Sequence, residues 1–267
     1  MSMPEPEEID WKQVSQSFDT VADLYDAHRP GYPQELVDSA IALSGIPQGG
    51  RILEIGSGTG KATRLFAARG FAIHCIEPGG NMLAVAARSL QGDPRVTFEQ
   101  ARFEDWPEPA AEFDLVVSAQ AFHWVPKEAG YPKAARALKP GGSLALIWNM
   151  STGVDGTVGE EMDQVYHTIV PELGSPQTYS EETIRQVIAD ITGSGCFGPV
   201  TVKRFPWTQV YRTAEYLGLT NTYSDHLRLP DPKRQQLFAA LAAVIDAHGG
   251  SLERQYVAVL YVAPKLA

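Results

Sequence analysis

Between Arg51 and Ala119 the apolar residues fall into short dense runs separated by amphipathic stretches. RILEIGS, FAIHCIEP, VTFEQARF and FDLVVSA read as strands, and GKATRLFAARG and GGNMLAVAARSLQG carry their apolar residues at helical spacing. A fifth strand, SLALIWN, follows the turn Lys139-Pro140-Gly141-Gly142. Strands of this kind alternating with helices predict βαβ units and a parallel sheet buried on both faces.

The flanks read differently. Residues 17–29 predict a helix with Ser17 as N-cap, with Phe18, Val21, Ala22 and Tyr25 on one face and Pro30 closing it. Pro33 opens a second helix, with Leu36, Val37, Ala40 and Ile41 apolar and Gly45 as its stop. From Met150 to about Ser180 the rhythm gives way to an acidic stretch rich in Gly and Pro. A helix over 181–191, a strand PVTVKRF, helical runs within 213–248 and a last strand YVAVLYVA at 256–263 follow. The expectation is a single α/β domain over 1–267 with a seven-stranded, mostly parallel sheet and helices on both faces. Its core sheet is drawn from 48–149 and 181–206 with 254–263. Helical cap elements at 10–46, 150–180 and 207–250 are expected over one edge.

Composition narrows the classes. Of 267 residues 44% are hydrophobic and 20% charged, which suits a folded core rather than a disordered chain. The net charge is −10, and residues 151–190 hold eight acids against the single base Arg185. No basic stripe is available to neutralise phosphates, so no nucleic-acid partner is expected. No run approaches the ~18–20 apolar residues that span a bilayer, and the acidic MSMPEPEEIDWK does not resemble a targeting leader. Cys75 and Cys196 fit neither a zinc site nor a disulfide framework, so a cytoplasmic protein without metal is expected; its expected assembly is a monomer or homodimer.

The chemistry concentrates at Glu54-Ile55-Gly56-Ser57-Gly58-Thr59-Gly60, where a strand turns into a helix. A Walker A loop fails, with Ile55 and Ala62 at its glycine and hydroxyl positions, and the dinucleotide fingerprint fails because Lys61 takes its third glycine. A carboxylate at Glu54 repels a pyrophosphate and attracts an ammonium group. Glu77, at the end of the second strand, stands where a carboxylate accepts hydrogen bonds from both ribose hydroxyls. A ribonucleoside without phosphates and with a charged amino end describes S-adenosylmethionine. A nicotinamide-dependent oxidoreductase shares the logic of Glu77, and a non-catalytic S-adenosylmethionine-binding protein would keep the same site.

ILEIGSGTG, Glu77, FDLVVSAQAFHW and LKPGG resemble the successive motifs of the class I S-adenosylmethionine-dependent methyltransferases over residues 51–149. FDTVADLYDAHRPGYP and AQAFHW are similar to a small-molecule subgroup near the trans-aconitate methyltransferase-like and type 11 proteins. The resemblance implies a Rossmann-like class I fold and in-line methyl transfer to O, N or C of a small-molecule acceptor. The product would be S-adenosylhomocysteine, with no metal. It implies that Gly56, Gly58 and Gly60 line the methionine and ribose, with Glu54 near the amino group and Glu77 on the ribose diol. Met82 would pack on the adenine or serve as plain core, and Gln120 would lie at the methionine end. Where relatives carry an Asp that accepts from the adenine, this chain has Arg102, so either Glu104 substitutes or only the backbone at Phe103 and Glu104 reads the base. His123 is a candidate general base, or a histidine bonded to backbone beside Trp124. Tyr25 is a candidate to close over the cofactor. Arg29 either meets a carboxylate or fixes its own helix end. Trp124, Trp207 and Tyr223 are candidate acceptor contacts, the last two in an aromatic cap with Tyr211, Tyr216 and His226. A polyanionic acceptor is disfavoured unless Arg29, Lys203, Arg204 or Arg212 converge.

Overall fold

The structure, a computed structural model, describes residues 19–107, 109–173 and 179–267. Ser17 and Phe18, where the first helix was expected to begin, lie outside the described residues. Strands β1 (Arg51–Ile55), β2 (Ala72–Glu77), β3 (Val96–Gln100), β4 (Phe113–Ala119), β5 (Leu138–Gly153), β6 (Thr201–Arg212) and β7 (Ser251–Pro264) form one sheet. Its order is β3-β2-β1-β4-β5-β7-β6. The first five strands pair in parallel, and β7 lies antiparallel to both β5 and β6.

Around the sheet run α1 (Ala22–His28), α2 (Gln34–Ser44), α3 (Lys61–Ala67), α4 (Gly80–Ser89), α5 (Lys127–Ala137), α6 (Gly156–Ile169), α7 (Glu181–Gly193), α8 (Thr213–Thr220), α9 (Ser224–Leu227) and α10 (Asp231–Ala247). Successive strand residues serve opposite faces. Ile52, Leu115, Ile147 and Leu260 meet α2 and α3 through Leu36, Val37, Ala40 and Phe66. Leu53, Val116, Leu146 and Tyr261 meet α5 and α7 through Tyr131, Ala134, Ile184 and Ile191. α2 is therefore a sheet-covering helix and not a cap element. Its stripe ends at Gly45, whose left-handed φ of +65° lets its N–H return to the Ile41 carbonyl.

A third core builds the cap, and here the elements depart from expectation. α6 crosses the stretch read as irregular, because Gly156, Gly159 and the acids mask a stripe of Val158, Met162, Val165, Tyr166 and Ile169. β6 continues through Pro206 to Arg212, so Trp207 and Tyr211 stand on a strand and not in the cap segment expected at 207–250. A proline is tolerated there because β6 is an edge strand, where one face of its ladder has no partner. β6 and β7 overrun the end of β5 as a two-stranded ribbon, pairing as far as Arg212 with Ser251. On the far end of that ribbon Tyr211, Leu252 and Tyr256 pack with Tyr166, Leu237 and Leu241. The cap thus stands over the carboxyl ends of the strands rather than along a side of the sheet. No helix among the described residues is long and apolar enough to cross a membrane.

If α2 is part of the sheet core, Leu36→Ala should cost ~2–5 kcal/mol of unfolding free energy in urea titrations. Val210→Thr, at a position 52% exposed on β6, should change it by less than ~0.5 kcal/mol.

Candidate functional site

The chain adds β2 and β3 on one side of β1 and then returns to place β4 on the other. Loops leaving β1 and β4 therefore part in opposite directions and open a crevice at the carboxyl ends of the strands. Gly56, Gly58 and Gly60 take φ of +67°, +54° and +80° in the loop after β1. Their roles differ. A Cβ on Gly56 would stand 2.3 Å from the Ala121 Cβ, and one on Gly60 would crowd Ala86 of α4 and Leu90 at its C-terminal end at 3.2–3.3 Å. Those two glycines serve packing. A Cβ on Gly58 would meet nothing within 4 Å, so this glycine leaves open space beside its hydrogen-bond partner, Glu77. The Glu77 carboxylate accepts from the N–H of Gly58 and from that of Gly79, each at 2.9 Å. Burial raises its pKa, and those two donors oppose the rise.

Glu54 lies under the turn, 1% exposed, and accepts a 2.6 Å hydrogen bond from the Thr63 hydroxyl on Oε2. Burial lifts its pKa to about 7, and the Glu77 charge adds to the rise. Oε1 has no hydrogen-bond partner among the described residues. That oxygen keeps its lone pairs free of any protein donor among the described residues.

α1 lies across the first turns of both helices that follow these residues. Asp19, just before it, accepts from the N–H groups of Asn81 and Met82 at 2.8 and 3.1 Å, at the start of α4. Asp26 pairs with Arg64 of α3 at 3.0 Å, and its carbonyl accepts from the Lys61 ammonium at 2.7 Å. Met82 is buried with Ala22 and Val85, and Tyr25 packs against them. Nothing beyond their charge marked Asp19 or Asp26 along the chain. Among the described residues Arg29 meets neither a carboxylate nor carbonyls of its own helix end. Its Nε and Nη2 donate to the hydroxyl and carbonyl of Thr222 at 2.7 and 2.9 Å, which ties α1 to the cap.

After β3, Phe103 is buried in the sheet core 6.2 Å from the Trp106 ring, so only its backbone can face a ligand. Arg102 donates to Glu104 from Nε at 2.8 Å, and the Glu104 carbonyl accepts from Lys133 at 2.9 Å. Arg102 thus engages the carboxylate that was a candidate to substitute for the missing acceptor.

At the end of β4, Gln120 holds a left-handed φ of +58°, a conformation costing ~1 kcal/mol or more for a side-chain-bearing residue. It is held by its N–H to the Ile147 carbonyl and its Nε2 to the Asn149 carbonyl, at 2.9 and 3.0 Å. Asn149 also accepts from the Trp207 indole at 3.0 Å and donates to the Gly31 carbonyl at 3.1 Å. This junction of four segments was not legible in the strand SLALIWN. His123 lies on the turn Phe122–Trp124 with its ring 4.7 Å from that of Trp124. Its Nδ1 accepts from the Trp148 indole at 3.3 Å, so the ring is neutral and carries its proton on Nε2. His123 is an exposed residue, yet desolvation of its ring by the surrounding groups lowers its pKa to about 4. With Nδ1 engaged and Nε2 protonated, it is not poised as the general base that was a candidate reading. Trp207 stacks on Tyr256 at 5.0 Å, and the Tyr223 hydroxyl accepts from Arg254 at 2.7 Å. Arg254 escaped the sequence reading.

Known proteins bear on these features. A sequence profile described as a methyltransferase domain matches residues 52–142. An uncharacterized methyltransferase of Mycobacterium tuberculosis is 34% identical over 138 residues, 52% of this chain and 54% of that one, so the match spans about half the relative's length. The ubiquinone/menaquinone biosynthesis C-methyltransferase of Pseudomonas fluorescens is 30% identical over 203 residues, 70% of this chain and 77% of that one. A solved structure assigned as a type II methyltransferase of Anaeromyxobacter dehalogenans shares the fold. It has a TM-score of 0.65 at 23% identity, over 88% of this chain and 97% of that one.

The raised pKa of Glu54 sets a pH test. Between its unfolded value of 4.5 and its folded value of about 7, the folded chain keeps a proton that the unfolded chain has released. This group's contribution to stability therefore falls as pH rises through that window. The unfolding free energy of the wild type minus that of Glu54→Gln should decline from pH 5 to pH 8 in urea titrations. A difference that is flat or rises would mean the carboxylate is already ionised in the fold.

Proposed function

The chain belongs to the class I S-adenosylmethionine-dependent methyltransferases, and from that premise we propose that it methylates a small molecule bound between the crevice and the cap. The observation that carries the cofactor assignment is the Glu77 carboxylate, held by the Gly58 and Gly79 N–H groups beside the open space at Gly58. Each oxygen keeps a lone pair beyond its backbone donor, enough to accept both hydroxyls of a ribose diol. Glu54, with Oε1 unused, supplies the negative field for the amino end. The backbone at Phe103 and Glu104 is left to read the base, and Met82 with Tyr25 forms an apolar wall under α1. S-adenosylmethionine, when bound, supplies a methyl group on a sulfonium whose departing thioether is neutral, so no acid is needed to assist departure.

What the protein adds is position and dryness. The strained Gln120 and its Asn149 junction fix the floor of the methyl end, and α1 pinned by Asp19 and Asp26 covers the nucleoside side. Holding reactants in line at roughly 3 Å away from water supplies much of an acceleration. His123 takes no proton in this reading. The acceptor therefore presents an atom that already carries a free lone pair at neutral pH.

Calorimetric titration tests the reading. S-adenosylmethionine should bind with micromolar affinity and NADH should not, and Glu77→Ala should weaken binding by more than tenfold, about 1.4 kcal/mol. Because an ammonium ligand needs Glu54 ionised, affinity should rise about fivefold from pH 6 to pH 7. Binding of NADH in place of S-adenosylmethionine would overturn the assignment of the turn.

A further inference from the structure

The cap encloses a cation that the fold does not neutralise. Arg254, on β7, is 7% exposed. Its Nε donates to the Ser151 hydroxyl at 2.8 Å and its Nη1 to the Tyr223 hydroxyl at 2.7 Å. The guanidinium stands 5.6–5.8 Å from the ring centres of Tyr216, Tyr223 and Tyr256. Among the described residues no carboxylate pairs with it, and Nη2 has no acceptor. Its neighbour Glu253 cannot serve, because alternation along the strand sends that side chain to the exposed face.

In a chain of net charge −10 this is unusual, since Arg64 holds Asp26, Arg69 holds Asp38 and Arg204 holds Glu181. A buried unpaired charge is costly. Tyrosine rings and hydroxyls offset part of that cost through cation–π attraction and hydrogen bonding, but they leave the positive charge in place. Arg29 stands at the same tyrosine, 4.5 Å from the centre of the Tyr223 ring, and it too has no carboxylate among the described residues. A relay of side-chain contacts links the pair to Gln120. Tyr256, under Arg254, stacks on Trp207, which donates to Asn149, which holds Gln120.

We propose that Arg254 and Arg29 anchor a carboxylate of the methyl acceptor, which makes that acceptor a small aromatic or apolar monoacid. The proposal rests on the methyl-transfer reading above. A planar carboxylate matches a guanidinium fork, and the tyrosine surroundings suit an apolar or aromatic body. A single acidic group is expected because the other bases do not converge. Lys203 donates to Ser39, Arg204 is held by Tyr179 and Glu181, and Arg212 is exposed.

The test uses the full chain saturated with S-adenosylhomocysteine, titrated by calorimetry with benzoate, phenylacetate and cinnamate. Each is paired with its neutral amide, and inorganic phosphate is run as a separate arm. At least one acid should bind tenfold or more tightly than its amide, and Arg254→Gln should abolish that preference. Arg29→Gln should reduce it, and this second variant together with the wild-type comparison keeps the test in force if the first variant fails to fold. Acids and amides binding alike, neither binding, phosphate alone binding, or a preference that survives both substitutions would each overturn the anchor. Those results with S-adenosylhomocysteine still bound remove the anchor alone, whereas failure to bind S-adenosylhomocysteine removes the methyl-transfer reading and the anchor with it.

Discussion

Ala121 rests where a side chain on Gly56 would stand, and the depth of the crevice follows from that contact. The loop after β4 can descend onto the loop after β1 only because residue 56 has no Cβ and tolerates a φ of +67°. With that loop down, Gln120 is forced into its left-handed conformation and brought to Asn149, and the turn Phe122–Trp124 follows at once. On the other side Gly60 admits α4 close to the turn, which places Gly79 and the start of α4 beside Glu77. The spacing of three glycines therefore combines two packing contacts with one open position, and the open one lies between them.

Charge is distributed with the same economy. Two carboxylates stand near each other at the floor, each raised by burial and Glu54 further raised by its neighbour. Two guanidiniums stand in the cap without carboxylate partners among the described residues. On the two proposals above, a zwitterionic nucleoside would meet the first region and an anionic acceptor the second, and opposite charges would steer the two ligands to opposite ends of one crevice. α1 joins the ends. Its Asp26 reaches α3 and its Arg29 reaches Thr222 of the cap, so a rigid shift of this helix alters both regions together.

The first five strands and the helices between them were readable because a parallel strand covered on both faces must be apolar throughout, and RILEIGS and FDLVVSA show it. Glu54 and Glu77 were readable because carboxylates at strand ends in that register have few other uses. The outer half of β6 was not, since an edge strand carrying Pro206 and alternating exposure looks like a loop, and α6 was not, since two glycines and several acids cover its stripe. The functions of Gly56 and Gly60 were hidden for another reason. Spacing reveals that a glycine is present but not which side chain from a distant loop occupies the place of its missing Cβ.

Arg254 shows the same limit with charge. Within Ser251–Tyr256 the residues alternate exposed and buried, so Leu252, Arg254 and Tyr256 share one face while Glu253 and Gln255 share the other. In sequence, Glu253 and Arg254 look like a neutral surface pair. In the sheet they are separated by the backbone itself, and the arginine enters a layer assembled from Tyr211 on β6, Tyr216 on α8 and Tyr223 beyond it. Those tyrosines come from segments more than thirty residues away, and only the overrun of β6 and β7 past β5 brings them around one guanidinium. The buried setting of Arg254 is thus a product of strand length. Had the ribbon ended with β5 at Gly153, Ser251 to Arg254 would have had no sheet to alternate on, and the cation would have faced water.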